Sequence, residues 1–240
     1  MQTFDQFGLS PELLRAVESL KYTTPTPIQI QTLPLLLGKP TDFIGLAATG
    51  TGKTAAFGLP VLEKIDTKNK AVQALVLCPT RELAMQVTDQ IHLLGKYKDV
   101  RALAIYGGAG YAPQLSGLAQ GVSIVVGTPG RVIDHLERGS LKLHEVSTVI
   151  LDEADEMISM GFKDELEAIL KAIPKEKSKI WLFSATMNKE VRRVADTYLK
   201  NPAQIQVNRT EMLSTTVEPV SYTHLRAHET KANLVCRLLL

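Results

Sequence analysis

The chain has 240 residues, 45% of them hydrophobic and 22% charged, with a formal net charge of +2. That is enough length and apolar content for one large globular domain, and it excludes a global basic field, so any nucleic-acid contact must come from a local patch. No apolar run is long enough to span a bilayer, the first residues lack signal-peptide character, and two cysteines, Cys78 and Cys236, make neither a disulfide framework nor a metal cluster; a cytoplasmic setting is expected.

From the start of the chain, Phe4, Phe7, Leu9, Leu13, Leu14, Val17 and Leu20 recur at helical spacing, and Ser10-Pro11 suits an N-cap and first turn. Tyr22-Thr-Thr-Pro-Thr-Pro-Ile-Gln29 follows; its prolines fix an extended turn, and helical periodicity resumes from Ile28 to Leu37. Such a turn can present a ring and an amide to a base. Taken alone, Tyr22 reads as a half-buried packing residue and Gln29 as a surface helix residue. Asp42 to Ala47 suits a buried strand. Lys53 to Ile65 has helical spacing, with Pro60 expected to bend or shorten the helix.

Between that strand and that helix lies Ala47-Ala-Thr-Gly-Thr-Gly-Lys-Thr54. Thr49, Gly50, Thr51 and Gly52 give a loop of little bulk whose backbone N–H groups can turn onto an anion. Lys53 adds a positive charge, and Thr54 a hydroxyl suited to Mg²⁺. The pattern is the G-x-x-x-x-G-K-[ST] phosphate loop with Ala47 in place of its first glycine. Strand, loop and helix N-terminus together make a phosphate site.

Apolar strands and helices then alternate, with strands expected at Gln73–Cys78, Arg101–Tyr106, Val122–Val126, Thr148–Leu151, Ile180–Phe183 and Ala203–Val207. Helices are expected from Pro79 to about Leu94, at Leu115–Ala119, to about Arg138, at Phe162–Ile173 and to about Leu199. The pattern predicts an α/β domain with a parallel sheet covered by helices on both faces, in which ligands bind beyond the carboxyl ends of the strands. The polar clusters fall at those ends. Asp152-Glu-Ala-Asp155 can hold Mg²⁺ opposite Thr54 and polarise a water, or can be an acidic helix N-terminus. Thr80, Arg81, Gly107-Gly108, Thr128 and Arg131 suit a sugar–phosphate backbone; alternatively Arg81–Glu82 and Arg131–Asp134 are ion pairs and the glycines turns. Ser184 and Thr186 alone read as caps. His92, His135 and His144 lack metal-ligand spacing, and Trp181 reads as core.

In this order, Pro25–Gln29 with Phe4 upstream, Ala47–Thr54, Pro79–Ala84, Gly107-Gly108, Thr128–Arg131, Asp152–Asp155 and Ser184–Thr186 resemble the amino-terminal RecA-like P-loop NTPase domain of bacterial DEAD-box RNA helicases, over about residues 4 to 219. The resemblance implies ATP and Mg²⁺ as cofactors and RNA as partner. It implies adenine recognition by Tyr22, Gln29 and the Thr24 backbone, with Phe4 buttressing the turn, and a phosphate cradle from Thr49 to Lys53. Thr54 and Asp152 would hold Mg²⁺; Glu153, with Lys53 and Asp152, would carry the chemistry. RNA would be gripped by Thr80, Arg81, Gly108, Thr128 and Arg131, and Asp155, Ser184 and Thr186 would couple nucleotide state to domain closure. Lys21-Tyr22 stands where Gly-Phe is common in that family, and Lys39–Asp42 is longer than its usual approach to the first strand.

The resemblance also implies a second RecA-like domain in cis, which this sequence does not contain, and a monomer that does not engage membranes. A nucleotide-dependent RNA-binding module without catalysis and an ATP-driven DNA helicase are the alternative functions. The organisation expected is a Q-motif segment with the N-terminal helix (1–35), the RecA-like ATP-binding domain (36–210) and the start of an interdomain linker (211–219). Val220 to Leu240 breaks the family pattern and resembles a transposase-type sequencing adapter translated in frame; these residues are expected not to be native, and His224, His228 and Cys236 to carry no function.

Overall fold

The computed structural model describes residues 2–207. The expected linker at 211–219 and the foreign-looking segment at 220–240 lie outside the described residues.

A short 3-10 turn at Phe4–Phe7 leads into α1 (Pro11–Ser19), then α2 (Pro27–Leu37). The first strand and helix of the sheet are β1 (Phe43–Leu46) and α3 (Lys53–Lys64), followed by β2 (Ala74–Leu77), α4 (Arg81–Leu94), β3 (Ala102–Ile105) and α5 (Tyr111–Ala119). Then come β4 (Ile124–Gly127), α6 (Pro129–Glu137), β5 (Thr148–Leu151), α7 (Ala154–Ser159), α8 (Lys163–Ala172), β6 (Lys179–Ser184), α9 (Lys189–Tyr198) and β7 (Ala203–Gln206). The strands form one seven-stranded sheet in the order β3-β4-β2-β5-β6-β1-β7. Every pairing is parallel.

Alternation along the strands divides the core into two layers. Phe43, Ala74, Val76, Ile124, Val126, Ile150, Trp181 and Phe183 point to the face covered by α1 to α4, where they meet Leu13, Leu33, Phe57 and Ile91. Ile44, Leu75, Leu77, Val125, Val149, Leu151 and Leu182 point to the other face and meet Val132, Met157, Leu166 and Val191 from α6 to α9. Burial on both faces explains why β1, β2, β4 and β5 read as unbroken apolar runs. Trp181, 1% exposed, is core as expected.

Two local expectations change. Pro60 lies inside α3, which runs on to Lys64. A proline removes one i→i−4 bond, but the flanking residues of α3 are buried against α2 and α4, and that packing holds the helix through the gap. Ser10 precedes α1 in extended conformation, yet its side chain makes no cap bond, and its backbone N–H donates to the Glu63 carboxylate at 3.0 Å.

Opposite the polar ends of the strands, Asp42 fastens three segments. One carboxylate oxygen accepts the Ile180 N–H at 2.8 Å and the other the Lys200 N–H at 2.6 Å. Its own carbonyl accepts the Ala203 N–H at 2.9 Å. Asp42 is 5% exposed, so Asp42→Ala strands two buried donors. It is expected to lower the unfolding free energy by about 2–4 kcal/mol in urea titration.

Candidate nucleotide and nucleic-acid sites

Because all strands are parallel, their carboxyl ends open on one rim, and the strand order sorts the polar clusters along it. The loops after β3, β4 and β2 carry Gly107-Gly108, Thr128 and Thr80-Arg81. The loops after β5, β6 and β1 carry Asp152–Asp155, Ser184–Thr186 and Ala47–Thr54. Two neighbouring half-rims result, one rich in glycine and arginine, the other in carboxylates, hydroxyls and the Lys53 loop.

In the second half-rim a cavity of about 610 Å³ is lined by Tyr22, Thr24, Gln29, Thr49, Gly50, Gly52, Lys53, Thr54, Asp152 and Glu153, among others. The Pro25–Gln29 turn is tied to the phosphate loop. Gln29 Nε2 donates to the Gly52 carbonyl at 3.1 Å, and its Oε1 accepts the Thr26 N–H at 2.9 Å. Gln29 is thus buried, 4% exposed, rather than the surface helix residue its spacing alone suggests. A primary amide has two donors and two acceptor lone pairs, so one of each remains for a ligand. The approach needs glycine at position 52: φ is 93°, and a Cβ there would stand 2.7 Å from Gln29 Nε2.

Lys53 opens α3 and is 6% exposed, its Nζ donating to the Ala47 carbonyl at 3.3 Å. Thr51 Oγ1 closes the loop onto the Ala48 carbonyl at 2.8 Å. Thr49 Oγ1 donates to Glu153 Oε1 at 2.9 Å, joining the loop to the end of β5. Glu153 sits at φ 54°, a left-handed conformation that a non-glycine residue holds only at a cost. Asp155 joins β5 to β6: its Oδ2 accepts the Thr186 N–H at 2.9 Å and the Thr186 hydroxyl at 2.8 Å. Its own N–H donates to Ser184 Oγ at 3.3 Å, and Ser184 Oγ donates to the Thr186 carbonyl at 2.8 Å. These bonds outweigh the burial of Asp155 and leave its carboxyl below the ordinary range.

Asp152 is the exception in this bonded frame. It is 2% exposed, and its Oδ1 is buried without a hydrogen-bond partner. Burial, with the Glu153 charge adding and Lys53 opposing, pushes its carboxyl up to about 6. Burial and the same two carboxylates push the neighbouring Cys78 thiol up as well. A desolvated carboxylate with an open valence beside the Thr54 hydroxyl is the donor set a hard divalent cation takes, so Thr54 and Asp152 fit Mg²⁺.

In the first half-rim Arg81 is exposed and paired with Glu82, Thr80 caps α4 by accepting the Leu83 N–H at 3.2 Å, and Gly107 and Gly108 are open. Gly108 has φ 76°, and a Cβ there would stand 3.6 Å from Arg81 Nη1. Both ion pairs that the sequence left open are formed, Arg131–Asp134 at 3.5 Å. Arg131 departs from the expected set: it is 8% exposed, and its Nη1 donates to the Ala109 carbonyl and Gln114 Oε1. Its position on the first turn of α6 turns the side chain under the Gly107-Gly108 loop rather than onto the rim.

Sequence reasoning missed Gln86 and Gln90, which line the cavity from α4, Gln90 lying 3.5 Å from the Tyr22 hydroxyl. Their i, i+4 spacing on the helix that follows Arg81 is the only signal of a shared face.

The family model for DEAD/DEAH box helicases matches residues 26–194. The chain belongs to this family. It is 48% identical over 240 residues to the DEAD-box ATP-dependent RNA helicase CshA of Geobacillus kaustophilus, covering all of this chain and 50% of that protein. It is 46% identical over 241 residues to ATP-dependent RNA helicase CshA of Listeria monocytogenes, of which 45% is covered. The fold matches the crystal structure of a DEAD box protein from Methanococcus jannaschii with a TM-score of 0.83 and 41% identity, covering 87% of this chain and 56% of that one. The chain thus spans about half the length of the curated helicases it matches. Its sheet is the RecA-like sheet of that structure, and no helix among the described residues is long and apolar enough to cross a membrane.

The raised Asp152 carboxyl has a stability consequence in metal-free buffer. The folded chain binds this proton more tightly than the unfolded chain, whose carboxyl titrates near 3.8. Asp152 therefore stabilises the fold least above pH 6, and stability falls as pH rises through the window from about 4 to about 6. The loss is on the order of 3 kcal/mol. Thermal melts of wild type and Asp152→Asn across pH 4–7 are expected to differ by that slope, the variant lacking it.

Proposed function

We propose that residues 1–210 are the ATP- and RNA-binding half of an ATP-dependent RNA helicase, with 1–35 as the base-reading segment and 36–210 as the RecA-like domain. The observation that carries this reading is the sorting of the rim. Strand order β5-β6-β1 gathers a phosphate loop, a buried carboxylate and a hydroxyl around one cavity, while β3-β4-β2 gathers exposed backbone and Arg81 beside it.

In this reading Tyr22 stacks on adenine, the free amide valences of Gln29 and the Thr24 backbone read its edge, and Phe4 buttresses the turn. Thr49 to Gly52 present backbone N–H groups to the phosphates, and Lys53 neutralises their charge. Thr54 and Asp152 hold Mg²⁺, which when bound offsets phosphate charge. Glu153, already hydrogen-bonded to Thr49, orients the attacking water and takes its proton. Asp155, Ser184 and Thr186 link β5 to β6, so a change at the phosphates reaches both strand ends together. Thr80, Arg81, Gly108 and Thr128 contact the RNA backbone, which carries no base information by itself. A second RecA-like domain, present in a protein of twice this length, completes both sites; the whole acts as a cytoplasmic monomer.

Lys53→Ala is expected to weaken ATP binding at least about tenfold in calorimetric titration, since it removes the charge-assisted contact; unchanged affinity refutes the phosphate-loop assignment. Glu153→Gln in the two-domain protein is expected to keep ATP affinity and to lose about a hundredfold or more of RNA-stimulated turnover. Stimulation by DNA equal to that by RNA would instead favour a DNA translocase.

A further inference from the structure

The Gly107-Gly108 loop has both of its flanking carbonyls captured from below. The Tyr106 carbonyl accepts from Gln114 Nε2 at 3.2 Å. The Ala109 carbonyl accepts from Arg131 Nη1 and Nη2 at 3.2 and 3.3 Å. The two captors are themselves joined, Arg131 Nη1 donating to Gln114 Oε1 at 3.1 Å. The chain of bonds thus runs from one end of the glycine loop to the other through two side chains.

The polarity of this chain is determined. Because Gln114 Nε2 is committed to a carbonyl, its oxygen must be the atom facing Arg131 and His135. His135 Nε2 lies 3.1 Å from that oxygen and so carries the ring proton, leaving Nδ1 to share the Ser140 hydroxyl with the His135 carbonyl, at 2.8 and 3.1 Å. Gln114, Arg131 and His135 are 5%, 8% and 0% exposed. Burial, then the Arg131 charge, holds His135 below its ordinary range, which keeps the neutral tautomer in place. Tyr111 closes the side: the Arg131 guanidinium lies 4.1 Å from its ring centroid, and its hydroxyl donates to Asp134 at 2.7 Å. These bonds hold the two captors in place, while Arg131 Nε, 3.5 Å from Asp134 Oδ2, makes no hydrogen bond.

We propose that Gln114 is a positioning residue for RNA, clamping with Arg131 the glycine loop that offers its backbone to a phosphate; this rests on the RNA reading of that half-rim. Glycine loses more conformational freedom on ordering than any other residue. A loop with Gly107 and Gly108 in series, left unclamped, must be ordered by the RNA itself. The clamp moves that ordering into folding, so RNA meets a preset surface beside Arg81. Gln114 touches no RNA, and the buried guanidinium of Arg131 acts through the Ala109 carbonyl.

The test uses the 240-residue protein, a fluorescein-labelled single-stranded oligouridine and anisotropy titrations over a range of salt, with ATP titrations and thermal melts in parallel. Gln114→Ala is expected to weaken RNA binding about tenfold while retaining ATP affinity. Its log–log salt slope is expected to stay at the wild-type value, because no charged phosphate contact is lost, whereas Arg81→Ala is expected to make the slope shallower by about 0.7. A fall in active fraction with wild-type affinity in the fraction that remains active would mean only a damaged fold and would overturn the clamp. Gln114→Glu keeps the acceptor for Arg131 and His135 but sets an oxygen against the Tyr106 carbonyl. It is expected to weaken RNA binding as well, and carries the test if the alanine variant does not fold. Wild-type affinity in the folded variants refutes the proposal. Arg81→Ala separates the two levels: if it weakens RNA binding and the Gln114 variants do not, the clamp fails, whereas no effect of Arg81→Ala refutes the RNA reading of the rim.

Discussion

A single direction shared by all seven strands is the constraint on which the rest of this structure depends. Parallel pairing forces each connection to cross a face of the sheet, which buries both faces and places every strand-to-helix loop on one rim. The order of strands then decides which loops become neighbours. The chain runs from β1 across to β2 and later fills the gap with β5 and β6. The phosphate loop after β1 and the acidic loop after β5 are therefore separated by one strand, β6, whose Ser184–Thr186 segment bridges them. No pair of these loops is close in sequence, Thr49 meeting Glu153 across 104 positions.

Local energetics at the rim run against the stability of the rest. Asp152 keeps a buried oxygen without a partner, and Glu153 holds a left-handed backbone. The flanking strands β2 and β6 fix β5 in register on both sides and so hold these features in place. The two departures fall on adjacent residues at the end of β5, in the cavity that the phosphate loop also lines.

Strand positions were legible in the sequence because burial on both faces leaves mostly apolar residues in the central strands. The loop motifs were legible because phosphate and metal chemistry restrict residue types. Four things were not. The helix α7 is six residues long, too short for a hydrophobic period to register. Gln29 looked like a surface residue, since its partner, the Gly52 carbonyl, lies in a loop that only the tertiary fold brings near. Arg131 looked like a rim cation because its motif marks the strand end, but its rotamer carries the charge beneath the loop to Ala109 and Gln114. Gln114 itself gave no signal, since it falls just before the helix expected at Leu115–Ala119, whereas α5 begins at Tyr111.

The two half-rims differ in how complete they are without a ligand. Beneath Gly107-Gly108, Gln114, Arg131, His135 and Ser140 bond to one another, with Arg131 Nε lacking a hydrogen bond, and the amide orientation puts the ring proton of His135 on Nε2. Around the cavity, Asp152 Oδ1 is unpartnered, Lys53 makes one long contact to a carbonyl, and half of the Gln29 amide is free. On the reading proposed above, nucleotide and cation would supply what the second half-rim lacks, so their binding would be coupled to local ordering there. RNA would meet a surface already set by folding. Asp155 stands where the two halves join, at the end of the central strand β5, bonded to both Ser184 and Thr186. The end of β5 is therefore hydrogen-bonded directly to the segment after β6, while the glycine loop lies three strands away through β2 and β4 and is held by its own bonds to Gln114 and Arg131.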